Sequence, residues 1–228
     1  MVLLNSKKIL VVSPHADDET LGAGGTLLRA KDKSIKLYWL LVTSPNKQSY
    51  SETYIKNHIK QVEKIKNIYN FEKTLHLNYT PALLENEKKS SLINNFYKAF
   101  KSCKADTIII PHISDAHTDH YVTHTCCMAA CKIFKFNELG LRKIYSMEVL
   151  SETDIFTSKK DYQFQANTWI NISNYINQKI KAFSIYKTEV HKKGPRSNKY
   201  IRAQSKLHGS NLGWNAAERF CLLYNIDE

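Results

Sequence analysis

Residues 8–31 read KILVVSPHADDETLGAGGTLLRAK, and the fold turns on how this stretch is parsed. The apolar run Ile9-Leu10-Val11-Val12 makes residues 8–13 a buried strand, and residues 19–31 read as a helix. The hand-over between them carries His15, Asp17, Asp18 and Glu19. Acids suit a helix N-terminus, where the backbone dipole is positive. Three in a row repel one another unless a cation sits among them, and a metal ion is one such cation.

The same alternation continues along the chain. Strands are expected at residues 35–43, 74–79, 107–111, 143–149, 168–172 and 217–223, and helices at 52–69, 88–102, 119–134 and 175–186. In the segment 52–69, Tyr54, Ile55, Ile59, Val62, Ile65 and Ile68 recur near helical spacing. Residues 107–111 (TIIIP) are continuously β-branched up to the proline, as strands of a parallel sheet covered on both faces prefer. Strand–helix alternation implies right-handed βαβ units. The expectation is therefore an α/β fold, a Rossmann-like, mostly parallel β-sheet sandwiched by helices, forming a single domain over residues 1–228. No repeat, low-complexity tract or linker divides it.

A chain of 228 residues can bury a core without staples. Its five cysteines, Cys103, Cys126, Cys127, Cys131 and Cys221, form no CxxC pair and are read as reduced, packed thiols. The start of the chain lacks a basic segment followed by a long apolar one, and no run approaches the ~18 apolar residues of a membrane span. A cytoplasmic location with no membrane span is the default expectation. The net charge of +12 raises nucleic acid as a partner, but the lysines are scattered in short pairs such as Lys7-Lys8 and Lys159-Lys160, so no nucleic-acid binding is expected.

In open parallel sheets ligands bind beyond the carboxyl ends of the strands. Residues 14–19 follow the first strand, and PHISDAHTDHYVTH, residues 111–124, follows another. The second segment supplies His112, Asp115, His117, Asp119 and His120. With His15, Asp17 and Asp18 there are donors enough for a three-ligand zinc-type site that leaves a fourth position for water. Gly22, Gly24 and Gly25 admit a rival, a dinucleotide-binding turn. That reading fails because the third glycine of G-x-G-x-x-G is missing, Thr43-Ser44 stand where an acid should end the second strand, and Asp17, Asp18 and Glu19 would face a pyrophosphate. The glycines are expected to serve close helix-to-sheet packing. Taken singly, the other residues have plainer readings: His15 could cap a turn, Asp17 and Asp18 could be N-caps, and HTDH a polar loop.

PHADDETLGAGGTL resembles the N-terminal signature of the PIG-L/LmbE-like family of zinc-dependent N-acetylglucosamine deacetylases, and HTDH at 117–120 resembles its second motif, with Thr118 in place of the usual proline. SMEVLSETD, WINIS…KIKAFSIYKTE and PRSNKYIRAQSKLHGS…AERF extend the resemblance over nearly the whole chain. It implies His15, Asp18 and His120 as metal ligands, Asp17 as general base, His117 as the electrophilic or acidic partner of the acetyl carbonyl, and Asp119 as the group that orients His117. A His117 cation held by Asp119 would stabilise the oxyanion together with the metal. A bound Zn2+ would lower the pKa of water from ~16 toward 7, and Fe2+ suits the same His/His/Asp set. Relatives often carry an arginine on the helix after the second strand; YIKNHIKQVEK here has none.

The implied activity is removal of acetyl from an N-acetylglucosamine-type sugar or sugar conjugate by a metal-dependent hydrolase. The first alternative keeps the chemistry and changes the substrate to another N-acylated small molecule, such as a nucleotide-linked sugar, a thiol conjugate or an antibiotic precursor. A second is a metal-stabilised, non-catalytic module for polyanions. Glu19 is a candidate to support the ligands or is merely a first-turn acid. His112 and Asp115 are candidates to support the ligands or touch substrate, and Arg196 and Arg202 to bind substrate or a neighbouring subunit. His124 is expected to be structural or to support the ligands, and His58, His76, His191 and His208 to sit at the surface or in loops. Whether the chain forms a homo-oligomer is left open by the sequence.

Overall fold

Both faces of the first strand are apolar, and this places it in the middle of the sheet. In β1 (Lys8–Ser13), Ile9 and Val11 enter one core and Leu10 and Val12 the other. The computed structural model describes residues 3–153 and 163–226. Lys159-Lys160 and Asp154, the last residue of SMEVLSETD, lie outside them.

Among the described residues the strands form one seven-stranded sheet in the order β3-β2-β1-β4-β5-β7-β6. β1, β2 (Lys36–Thr43), β3 (Lys73–Tyr79), β4 (Thr107–Ile110) and β5 (Lys143–Met147) run parallel. β7 (Ala217–Asn225) runs antiparallel between β5 and β6 (Thr168–Asn171). This is the mostly parallel α/β sheet expected. Helices α1 (Asp18–Asp32), α2 (Glu52–Tyr69), α6 (Ile176–Phe183) and α7 (Asn198–Ser210) supply one core, and α3 (Lys89–Cys103), α4 (Thr118–Ala130) and α5 (Phe136–Leu139) the other. No helix among the described residues is long and apolar enough to cross a membrane.

The chain leaves β1 toward β2 on one side and returns after β3 to β4 on the other, so the crevice opens between β1 and β4. Both acid–imidazole segments emerge there. The glycines of α1 do serve packing: a Cβ on Gly22 would lie 2.6 Å from the Met147 sulfur, and one on Gly25 2.8 Å from Ile172. All five cysteines are free, four of them buried.

Two helix expectations change. The helix expected over 119–134 ends at Ala130, and a 3-10 turn, Ile133–Lys135, leads into α5. Burying Phe136 and Leu139 while Phe134 stays exposed requires a break in helical phase. α7 was not anticipated. Its buried stripe is only Ile201, Ser205 and Gly209, too polar and too small to register as apolar periodicity.

α1 is locked to the C-terminal part of the chain through its own backbone. Glu218 accepts the N–H groups of Gly25 and Thr26 at 2.8 and 2.7 Å. Lys179 donates to the Leu21 carbonyl at 2.8 Å and to Glu218 at 2.7 Å. Both side chains are buried. Removing one partner strands a buried charge, so Lys179→Met is expected to cost about 3–5 kcal/mol in chemical denaturation. His208, expected at the surface, stands on α7 with 8% of its side chain exposed. Burial, with Arg219 and Lys179 nearby, holds its imidazole down to about 3. Unfolded histidine titrates near ~6.5, so between these values the unfolded chain binds the extra proton and stability falls as pH falls. Melting temperatures of His208→Gln should fall less than wild type across that window.

Candidate metal centre and cleft

Asp17, Asp18 and Glu19 are 2%, 0% and 0% exposed, so each must find a partner inside the protein. Asp17 takes the N-cap position of α1 at φ 152°, a region that costs a non-glycine residue strain. Its side chain makes no cap hydrogen bond. The carboxylate instead accepts Arg196 Nη1 at 2.8 Å. Burial and the charge of Asp18 push the Asp17 carboxyl well above the usual carboxylate range, against the pull of Arg196.

Asp18 Oδ2 accepts the His15 backbone N–H at 2.8 Å and lies 3.3 Å from His120 Nε2 and 3.6 Å from His15 Nδ1. Burial raises this carboxyl, but the two imidazoles outweigh it and hold it well below its usual range. Burial likewise opposes charge on His15, yet hydrogen bonds with Asp119 and Asp18 bring its pKa up to about 9. One ligand atom from each of His15, Asp18 and His120 falls within 4.8 Å of the others. Asp18 Oδ1 is buried and has no hydrogen-bond partner. Two imidazoles, a carboxylate and an unsatisfied carboxylate oxygen fit a divalent cation with an open coordination position.

The supporting contacts come from several segments. Asp115 accepts from His120 Nδ1 at 2.8 Å and is itself held by Thr153 Oγ at 2.6 Å. Glu19 accepts the Asp17 backbone N–H and the hydroxyls of Thr20 and Tyr186, at 3.1, 2.5 and 2.8 Å. Burial and Asp18 raise the Glu19 carboxyl to about 7. Glu19 thus supports the strained turn from behind. His124 bonds the Pro111 carbonyl at 2.9 Å and is structural. His112 lies 3.3 Å from Ser146 Oγ and edge-on to Phe164. Arg202 donates to Asn177 on the exposed side of α7 and takes no part in the cleft.

The geometry revises how Asp119 and His117 are paired. Asp119 turns its carboxylate to His15 Nε2 at 3.0 Å and to the Ala82 and Leu84 amides at 2.7 and 3.1 Å. His117 is the N-cap of α4, and its Nδ1 accepts the Asp119 backbone N–H at 3.1 Å. Burial and the neighbouring His15 and His120 hold this imidazole down to about 4. It is therefore neutral near pH 7, with its proton on Nε2, rather than a cation held by the Asp119 carboxylate.

A cleft of about 270 Å³ opens in front of His15, Asp17 and His117. Its far wall brings in Tyr50, Tyr54 and His58 from the β2–α2 loop and α2, and Glu189 from the segment after α6. Sequence reasoning passed over all four as site residues. An α2 placed over the carboxyl edge of the sheet was the signal that could have found them. His58 was expected at the surface and is half-buried against this cleft.

A model of the PIG-L family, described as GlcNAc-PI de-N-acetylase, matches residues 10–131, more than half of the chain. The chain belongs to the PIG-L family. One family relative is the uncharacterised deacetylase YaiS of Escherichia coli, 30% identical over an alignment of 132 residues that covers 55% of this chain and 69% of YaiS. Among solved structures, N,N'-diacetylchitobiose deacetylase of Pyrococcus horikoshii matches with a TM-score of 0.75 and 17% identity, covering 96% of this chain and 85% of that one. The 4-carboxy-2-hydroxymuconate hydratase GalB of Pseudomonas putida matches at 0.73 and 13%, covering 97% and 98%. The PIG-L fold therefore does not by itself determine a reaction. Because Asp115 is bonded to His120, a divalent cation held by this donor set should bind about 10- to 100-fold more weakly to Asp115→Asn, as read by competitive titration with a chelating dye.

Proposed function

We propose that this PIG-L protein is a metal-dependent hydrolase that removes the N-acetyl group from an N-acetylglucosamine-type sugar, releasing acetate and the free amine. The observation that carries this reading is the convergence of His15, Asp17 and His117 on one cleft, with Asp18 and His120 buried within ligand distance of His15. The family match and the deacetylases among its relatives support it.

His15, Asp18 and His120 would hold the ion, for which Zn2+ is the first candidate and Fe2+ suits the same donors. Such an ion, when bound, supplies Lewis acidity toward water and the amide carbonyl. Asp17 is the general base. Its raised proton affinity suits it to take a proton from the attacking water and return it to the departing amine. Arg196 holds that carboxylate in place from the cleft side. His117 presents a neutral Nε2–H to the carbonyl oxygen, where negative charge develops. Asp119 anchors His15, through it the first motif, and the loop carrying Ala82.

The test is acetate release from a panel of N-acetyl sugars by the purified chain, after chelation and after return of Zn2+ or Fe2+. Chelation should abolish turnover and either ion restore it. Asp17→Asn should lower kcat roughly 100- to 10,000-fold with metal still bound. A wild-type protein that binds no divalent ion and releases no acetate across the panel overturns the proposal.

A further inference from the structure

The whole chain is strongly basic, at +12, but the cleft is not. Among its described lining residues Arg196 is the one fixed cation. That guanidinium is committed: Nη1 serves Asp17 at 2.8 Å and Glu189 at 2.7 Å, Nε serves Ser151 at 2.9 Å, and Nη2 lies 3.5 Å from Glu152. Three carboxylates around one arginine leave that guanidinium no unmatched positive charge to offer an anionic ligand on this side of the cleft. His58 adds none, since burial and His76 beside it hold its pKa down to about 4. α2 carries no arginine.

The cleft offers instead an aromatic face. Tyr50 and Tyr54 stack with ring centroids 4.9 Å apart and planes 22° from parallel, both half-buried at the cleft wall. Glu189, one-third exposed, stands beside them, close enough that its charge raises the Tyr54 phenol. Flat aromatic surface with a carboxylate at its edge suits the apolar face of a pyranose, whose hydroxyl or amino groups donate to the acid.

We infer that the cleft takes, next to the reacting sugar, a second uncharged or amino-bearing pyranose laid on the Tyr50–Tyr54 pair with Glu189 accepting its hydrogen bonds, and that it disfavours phosphoryl-linked substrates. The inference rests on the deacetylase reading for which sugar lies at His15, Asp18 and His120. It narrows that reading to neutral or amino oligosaccharides, away from nucleotide-linked sugars.

Binding tests it independently of turnover. Chitobiose, the disaccharide of glucosamine, and glucosamine carrying an anomeric phosphate have no acetyl group to lose, so each can be titrated calorimetrically into the Zn2+-loaded chain. Chitobiose should bind at least about tenfold more tightly than the phosphate. A Tyr50→Ala/Tyr54→Ala double variant, its fold checked by circular dichroism, should lose about tenfold for chitobiose and less than about twofold for glucosamine. Glu189→Gln should narrow the gap between chitobiose and the phosphate. Equal or tighter binding of the phosphate, or an unchanged chitobiose affinity in the tyrosine variant, overturns the inference. Preserved preference for chitobiose in a protein that releases no acetate from any N-acetyl sugar overturns the deacetylase reading and leaves this cleft preference standing.

Discussion

Three consecutive carboxylates buried at the start of one helix are the constraint around which this molecule is organised. Taking each ion out of water costs several kcal/mol unless charge and hydrogen bonds are returned to it. Asp17 draws Arg196 from the C-terminal part of the chain, and Asp18 draws His15 and His120. Glu19 is met by hydroxyls and an amide, which suit a carboxyl shared between its two protonation states. Three neighbours in sequence thus receive three different environments. That difference is what gives three adjacent carboxyls three different proton affinities.

The position of the cluster follows from topology. β1 is the strand at which the winding reverses, so its carboxyl end and that of β4 face a common crevice. Loops after β3, after β5 and after α6 close over the same edge and contribute Ala82, Thr153 and Glu189. The overall positive charge is carried by scattered surface lysines, and it says little about this acidic interior. Local pairing, rather than net charge, governs what the cleft can accept.

Much of this was legible in the sequence. The apolar runs and their rhythm indicate the parallel sheet, and two motifs rich in acid and imidazole indicate the donor set, because both signals are local. What escaped depends on packing between distant segments. α7 buries only a narrow stripe of small residues, and α4 stops where Phe136 and Leu139 must turn inward. Tyr50, Tyr54 and Glu189 look like ordinary loop and helix residues until α2 and the segment after α6 are brought together. The pairing of Asp119 with His15 instead of His117 is likewise a matter of rotamer, which spacing alone does not specify.

The Glu218 and Lys179 contacts with the backbone of α1 span up to 193 residues. During synthesis α1 is made before β7. Its Gly25 and Thr26 amides gain their carboxylate partner only when β7 has been made and docked. The helix that carries Asp18 is therefore incompletely anchored until β7 is in place. The segment after β1 therefore owes part of its support to a strand made much later in the chain.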